Sequence, residues 1–215
     1  MWMWRPPGVY RPQEDTWLLA GALAQAGVPS GASVLDACTG TGVLGVVAGL
    51  AGAGEVTAVD ISRRAVASAR INGWVRGVAL KALRGDFVSL VGRSRFDLVL
   101  SNPPYVPSVP GVPKGAARAW DAGEKGRAVL DRLCTALPSL LTDRGMALIV
   151  HSGLCDGDLT LNRLRDGGLK ASVVARRTVP FGPVLRRRSR WLRDNGYLAP
   201  GQDREELVVI RADVA

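Results

Sequence analysis

Apolar residues recur along this chain in short blocks that alternate with stretches of helical spacing. The short blocks are rich in Val, Leu and Ala and end at turn-forming residues, so each one predicts a strand. These strands cover residues 33–37, 55–60, 78–83, 96–101, 145–151, 169–178 and 206–212. Helices are predicted over residues 14–26, 63–72, 126–141 and 159–164, with another beginning near Val43. This alternation predicts an α/β fold with a mostly parallel sheet, closed by the last pair of strands.

A stiff polar segment follows the strand at residues 96–101, and it consists of Asn102, Pro103, Pro104 and Tyr105. The two prolines have no N–H for a ladder, so they end the strand and hold the residues before them in extended geometry. The segment offers the Asn102 side-chain oxygen and the Pro103 carbonyl as acceptors, with an aromatic ring beside them. Such a pair suits a planar NH2 group, either a carboxamide or a nucleobase amine. The alternative is an ordinary turn that ends a strand.

Polar residues also follow the three preceding strands. In chain order these are Asp36 with the turn residues Thr39, Gly40, Thr41 and Gly42, then Asp60, and then Asp86 with Phe87. A carboxylate beside a glycine turn disfavours a pyrophosphate and favours a ligand with an ammonium or sulfonium group. Asp60 lies about 20 residues beyond the glycines, where an acid reaches ribose hydroxyls in Rossmann-like sheets. Asp86 is a candidate acceptor for an adenine amine.

All four strand ends meet at one edge of a parallel sheet, so they predict a single ligand site. Each group also has a structural alternative. Asp60 or Ser62 is a candidate cap for the helix that follows, and the segment at Asp86 is a common loop. Residues 106–117, rich in proline and glycine, are predicted to cover the site.

Composition narrows the class of protein. The chain has 215 residues, is 47% hydrophobic and carries a net charge of +9. No apolar run approaches the roughly 18 residues that a membrane span needs, and the amino terminus lacks the features of a signal peptide. Three cysteines without a Cys-x-x-Cys pair argue for reduced thiols in the cytoplasm and against a structural zinc site. The positive charge favours acidic or nucleic-acid partners, with a solvated basic surface as the alternative.

These motifs resemble those of class I S-adenosylmethionine-dependent methyltransferases, and specifically of the HemK-type release-factor glutamine methyltransferases. The matching stretches are residues 34–42, 59–60, 85–86, 101–107, 121–133 and 145–150. Residues 10–16 resemble the Tyr-x-Pro-x-Glu-Asp-Thr opening of the short archaeal and eukaryotic members. Two features depart from the family: the chain has no counterpart of the amino-terminal helical domain of bacterial members, and the basic segment 179–196 has no match in the short members.

The resemblance implies a Rossmann-like, mostly parallel seven-stranded sheet with helices on both faces and an antiparallel last strand. It also implies a single globular domain, in which residues 1–30 form a cofactor-covering segment and helix and residues 31–215 form the methyltransferase domain. The implied reaction transfers a methyl group from S-adenosyl-L-methionine to the glutamine amide of a peptide-chain release factor. The short members often need a small activating partner. The alternatives are methylation of an adenine amine in RNA or DNA, with the basic segment contacting the nucleic acid, and a non-catalytic cofactor-binding scaffold.

The resemblance also assigns residues to the site, without a metal. The residues implied in catalysis are Asn102, Pro103, Pro104 and Tyr105. The residues implied in cofactor binding are Asp36, Thr39, Gly40, Thr41, Gly42, Asp60, Ile61, Asp86, Phe87 and Asn102, together with Pro12, Glu14, Asp15 and Thr16 from the opening segment.

Overall fold

Seven strands form one sheet in the computed structural model, which describes residues 1–215. The strands are β1 (Ser33–Ala37), β2 (Glu55–Asp60), β3 (Leu80–Arg84), β4 (Phe96–Ser101), β5 (Leu141–Ser152), β6 (Leu169–Pro180) and β7 (Arg204–Val214). Their order across the sheet is β3-β2-β1-β4-β5-β7-β6. Strands β1 to β5 are parallel, and β7 is antiparallel to both of its neighbours. The predicted fold class is confirmed.

Six α-helices accompany the sheet: α1 (Glu14–Ala26), α2 (Val43–Leu50), α3 (Arg63–Val75), α4 (Ala128–Leu140), α5 (Gly157–Asp166) and α6 (Pro183–Asp194). Helix α1 has its predicted bounds, whereas β5 begins four residues earlier than predicted, directly after α4. None of the helices is long and apolar enough to cross a bilayer.

Helix α6 lies in the basic segment, for which the sequence predicted no secondary structure. It begins at a proline, which fits the first turn of a helix, and buries Leu185 and Leu192 against the core. These two leucines are seven residues apart and therefore share a face. The many arginines between them obscured this pattern.

The order of the strands reverses at β1, which lies between β2 and β4. In open α/β sheets the crevice beside such a reversal, outside the carboxyl ends of the strands, is the usual place for a ligand. Because β7 is antiparallel, its first residues lie at this same edge, where Leu207 pairs with Ser152 at the end of β5. The carboxyl ends of the parallel strands and the start of β7 therefore lie together at this edge.

Hydrogen bonds hold the segment before α1 against α3. The side chain of Asn72 accepts a hydrogen bond from the Trp4 N–H at 2.8 Å and donates to the Trp4 and Thr41 carbonyls at 2.9 Å each. The Ser68 hydroxyl also donates to the Trp4 carbonyl. These contacts hold the amino-terminal segment against the glycine turn after β1.

Candidate active site

A cavity of about 1000 Å³ opens at the carboxyl edge of the sheet. This is the upper end of the range for small-molecule sites, roughly 300–1000 Å³. The predicted site residues that line it are Pro12, Glu14, Asp15, Thr16, Thr39, Gly40, Thr41, Asp60, Ile61, Asp86, Phe87, Asn102, Pro103, Pro104 and Tyr105. Two predicted cofactor residues, Asp36 and Gly42, lie outside this lining.

Asp36 lies beneath the glycine turn and is fully buried. Its Oδ2 atom accepts hydrogen bonds from the Thr39 hydroxyl at 2.5 Å and the Gly45 N–H at 2.9 Å, while Oδ1 has no partner. Burial raises the pKa of Asp36 to about 6, although the hydrogen bonds from Thr39 and Gly45 act in the opposite direction. Above that pH, Asp36 places a negative charge under the cavity floor, which favours a cationic ligand.

Gly42 serves the packing of helices. Its φ is +82°, and a Cβ atom there would lie 2.8 Å from the Ala69 Cα atom of α3. A larger residue would therefore push α2 and α3 apart. The turn needs glycine at this position for reasons that involve no ligand.

Asp36→Asn should change how stability depends on pH. Burial raises the pKa of Asp36 from 3.8 to about 6, so its contribution to stability is complete below about pH 4 and is lost as the pH rises through 6. At about 1.4 kcal/mol per pKa unit, the wild type should lose on the order of 3 kcal/mol relative to the variant between pH 4 and pH 7. Urea unfolding of both proteins across this range measures the difference. If the free energy of unfolding changed with pH in the same way in both proteins, the raised pKa of Asp36 would be contradicted.

Asp60 shapes the turn and faces the cavity. Its Oδ2 accepts a hydrogen bond from the Gly40 N–H at 3.0 Å, and its Oδ1 accepts one from the Ser62 N–H at 2.8 Å. Burial raises the pKa of Asp60, and the two N–H donors lower it. The cap of α3 is Ser62, whose hydroxyl accepts from the Ala65 N–H. Each oxygen of Asp60 keeps a free lone pair, so the carboxylate can also accept hydroxyl donors from a ligand.

Asp86 has partners of its own. One carboxylate oxygen caps a short 3-10 turn by accepting from the Val88 N–H at 3.1 Å, and the other pairs with Arg132 of α4 at 2.7 Å. Phe87 is buried in the cavity wall, with the Arg132 guanidinium 5.8 Å from its ring centroid. Any ligand amine must therefore share Asp86 with these donors. No local signal in the sequence of α4 indicated that Arg132 lies here.

The orientation of the Asn102 amide is set by the first turn of α1. Its Nδ2 donates a hydrogen bond to the Thr16 hydroxyl at 3.2 Å, and that hydroxyl donates to Asp15 Oδ1 at 3.1 Å. No hydrogen bond within the protein engages the Asn102 Oδ1 atom. This oxygen and the Pro103 carbonyl are therefore left as the two acceptors of the segment.

Asp15 also joins two aromatic hydroxyls. Its Oδ2 accepts hydrogen bonds from Tyr10 at 2.7 Å and from Tyr105 at 2.8 Å. Burial raises the pKa of Tyr105, and the charge of Asp15 raises it further. A single buried carboxylate thus connects the amino-terminal segment to the Asn-Pro-Pro-Tyr segment 90 residues away.

Thr16→Val should slow the methyl transfer that the resemblance implies about tenfold. Valine has the same shape but cannot accept from Asn102 Nδ2, so the amide loses the contact that orients it. The measurement is kcat at saturating cofactor and substrate, with Thr16→Ser as a control that retains the hydroxyl. If both variants turned over at the wild-type rate, Thr16 would have no role in positioning Asn102.

Arg188 of α6 holds the loop that follows Tyr105. Its guanidinium donates to the Pro107 carbonyl at 3.2 Å and to Asp121 Oδ2 at 2.9 Å. Asp121 lines the cavity, and Val106 pairs with it in an isolated bridge. One arginine of the basic segment therefore supports the wall of the site, whereas Arg186 and Arg187 are exposed.

Known proteins share this fold and these motifs. Residues 1–112 match the family model of the methyltransferase small domain. A Methanocaldococcus jannaschii protein, provisionally assigned as a protein N5-glutamine methyltransferase, is 34% identical over 83% of this chain and 90% of its own length. The release factor glutamine methyltransferase of Deinococcus radiodurans is 35% identical over 77% of this chain, but the match spans only 61% of the longer bacterial protein.

Among solved structures, one from the E. cuniculi Mtq2–Trm112 complex superposes with a TM-score of 0.67 at 24% identity. The match covers 97% of this chain and 99% of that one, which supports the fold. The family relationship rests on the sequence matches. Because this chain spans nearly the whole of a relative that is 34% identical and matches the domain model over residues 1–112, it belongs to the HemK-type family of S-adenosylmethionine-dependent methyltransferases.

Proposed function

We propose that this protein methylates the side-chain amide of a glutamine in a peptide-chain release factor, with S-adenosyl-L-methionine as the methyl donor. The observation that carries the proposal is the arrangement at Asn102. Its Nδ2 is bound to Thr16, which leaves Oδ1 and the Pro103 carbonyl as an acceptor pair in the cavity that Asp60 also lines. The names of the relatives supply the substrate class.

Residues on the two sides of the cavity have separate tasks in this proposal. Asp60 would accept hydrogen bonds from the ribose hydroxyls of the cofactor, and the backbone at Thr39–Thr41 would contact its methionine moiety. Asp36 would provide negative charge near the ammonium group, and Asp86 with Phe87 would hold the adenine end. Residues 7–10 and 12–16, which line the same cavity, would cover the cofactor. The bound cofactor supplies an electrophilic methyl group on a sulfonium.

The protein makes the amide nitrogen reactive by binding both of its N–H groups. The lone pair of an amide nitrogen is shared with its carbonyl, so the group is a weak nucleophile. Asn102 Oδ1 and the Pro103 carbonyl accept hydrogen bonds from the two N–H groups and stabilise the positive charge that develops on nitrogen as the N–CH3 bond forms and the bond from methyl to sulfur breaks. One N–H proton then passes to water, which leaves a neutral N-methyl amide. Pro104 keeps the two acceptors in place, and Tyr105 packs beside the planar group. Alignment of this kind contributes roughly 7–11 kcal/mol to barrier reduction.

Transfer of radioactive methyl from labelled cofactor tests the proposal. The enzyme is incubated separately with purified release factor and with total RNA, and the label is located by electrophoresis and peptide mass spectrometry. We expect label on one glutamine of the release factor and none after that glutamine is changed to alanine. Label in RNA alone would refute the protein substrate and favour a nucleobase amine.

We further propose that a small partner protein covers the outer edge of the sheet at β3. Support comes from the solved E. cuniculi structure, which is of a complex with Trm112, and from exposed apolar residues on α3, which packs against β3. Trp74 is 82% exposed and Val75 is 55% exposed. Trp74→Asp should abolish co-purification with a Trm112-like protein without lowering the Tm. Undiminished co-purification would place the partner elsewhere.

A further inference from the structure

Glu205 is a buried carboxyl group in the cavity wall that none of the steps above uses. Its side chain is only 7% exposed, and its Oε2 atom has no hydrogen-bond partner. It is the second residue of β7, pairs with Val179 of β6, and lines the same cavity as Asn102 and Tyr105. A buried acceptor without a donor is costly, so its presence beside a cavity points to a donor on a ligand.

The sheet order places Glu205 away from the proposed cofactor side. Asp60 ends β2 and Asp86 follows β3, both to one side of β4, whereas β7 lies on the other side of β4 beyond β5. The cavity wall around Glu205 is formed by Val179, Pro180, Gly182, Pro183, Leu185 and Leu207. In the order of the strands, Asn102 at the end of β4 lies between Asp60 and Asp86 on one side and Glu205 on the other. Glu205 therefore lies on the opposite side of Asn102 from the proposed cofactor residues.

The groups that face Glu205 do not neutralise it. They are Asp15 of α1, the hydroxyls of Tyr10 and Tyr105, Ser152 of β5 and the Cys155 thiol. Both tyrosine hydroxyls donate to Asp15, and no arginine or lysine is among these groups. Burial raises the pKa of Glu205 to about 7, and the charge of Asp15 raises it further, whereas Ser152 lowers it.

On the basis of the proposed function, we infer that Glu205 binds the substrate segment by accepting, at Oε2, a hydrogen bond from an N–H group next to the target glutamine. It is a specificity residue: a segment without an N–H donor at that place leaves the buried oxygen unpaired and binds less well. The ionised carboxylate is the better acceptor, so substrate binding should tighten as the pH rises through about 7. The thiol of Cys155 and the two tyrosines have raised pKa values and do not titrate in this range.

Steady-state kinetics of the full chain with release factor test this inference, at saturating cofactor and between pH 6 and pH 8. Glu205→Gln should raise the KM for release factor about tenfold, remove its pH dependence and leave the cofactor Kd unchanged. Glu205→Asp keeps the charge, so it should raise KM but retain the pH dependence. The matched control is Glu206→Gln, because Glu206 is exposed and pairs with Arg176 outside the cavity.

The possible outcomes separate this inference from the proposed function. Wild-type KM and pH dependence in Glu205→Gln would overturn the inference and leave the proposed function intact. A cofactor Kd that weakens together with KM would also overturn it, because Glu205 would then belong to the cofactor side or to the structure. Failure of the wild type to methylate release factor would refute both.

Discussion

Asn102→Ala should lower the rate of methyl transfer by at least about a hundredfold while the cofactor Kd stays within several-fold. Loss of one preorganised partner for developing charge costs on the order of 10²–10³ in kcat in well-studied enzymes. The Asn102 side chain contributes one of the two acceptors and makes its only side-chain hydrogen bond to Thr16. Single-turnover transfer and calorimetric titration of the cofactor measure the two quantities.

Two controls make the result specific. Asn162 is exposed on α5 away from the cavity, so Asn162→Ala should behave like the wild type in both assays. The Tm of Asn102→Ala should stay close to the wild-type value, because Asn102 follows β4 and is only half-buried. If cofactor binding collapsed together with transfer, Asn102 would be a structural residue.

Asp60→Ala, in contrast to Asn102→Ala, should mainly weaken cofactor binding, with the affinity falling about ten- to a hundredfold. The carboxylate orders the turn through the Gly40 and Ser62 N–H groups, and it is the proposed acceptor for the ribose hydroxyls. Hydrogen bonds to a charged group contribute about 1.5–3 kcal/mol each, so one lost ribose contact accounts for this change. Calorimetry without substrate measures it directly.

The control for Asp60 is Asp158→Ala, which removes an exposed carboxylate from the first turn of α5. This variant should bind the cofactor as the wild type does, since Asp158 is far along the chain from the turn and does not line the cavity. Unchanged affinity in Asp60→Ala would show that the ribose lies elsewhere in the cavity. The pair of variants at Asn102 and Asp60 therefore distinguishes catalysis from cofactor binding.

The residues at the strand ends were predictable because their signals are local. The backbone geometry after a strand can be predicted from a few residues when the strand is followed by Asn102 and two prolines, or by a turn such as Gly40–Gly42. The parallel order of β1 to β4 then brings these ends together without further information. The contact between Asp15 and Tyr105 was not predictable, because it joins residues 90 positions apart.

The features of the site that the sequence did not predict depend on tertiary contacts. Glu205 belongs to a strand with the apolar pattern of any closing strand, and only the antiparallel direction of β7 brings it to the site. Asp36 was expected beside the ligand, but the sequence could not show that Thr39 and Gly45 take up its Oδ2 atom beneath the turn. In both cases the residue type indicated a polar role, but the sequence did not show how deeply the residue is buried or which groups surround it.

In the proposed reaction, Asp15 links the amino-terminal segment to the catalytic residues, because it accepts hydrogen bonds from both Tyr10 and Tyr105. A displacement of this segment removes the acceptor of Tyr105 and, through Thr16, the contact that fixes the Asn102 amide. In the proposed reaction, the orientation of the Asn102 amide therefore depends on where Asp15 and Thr16 are held, although both lie far from it along the chain.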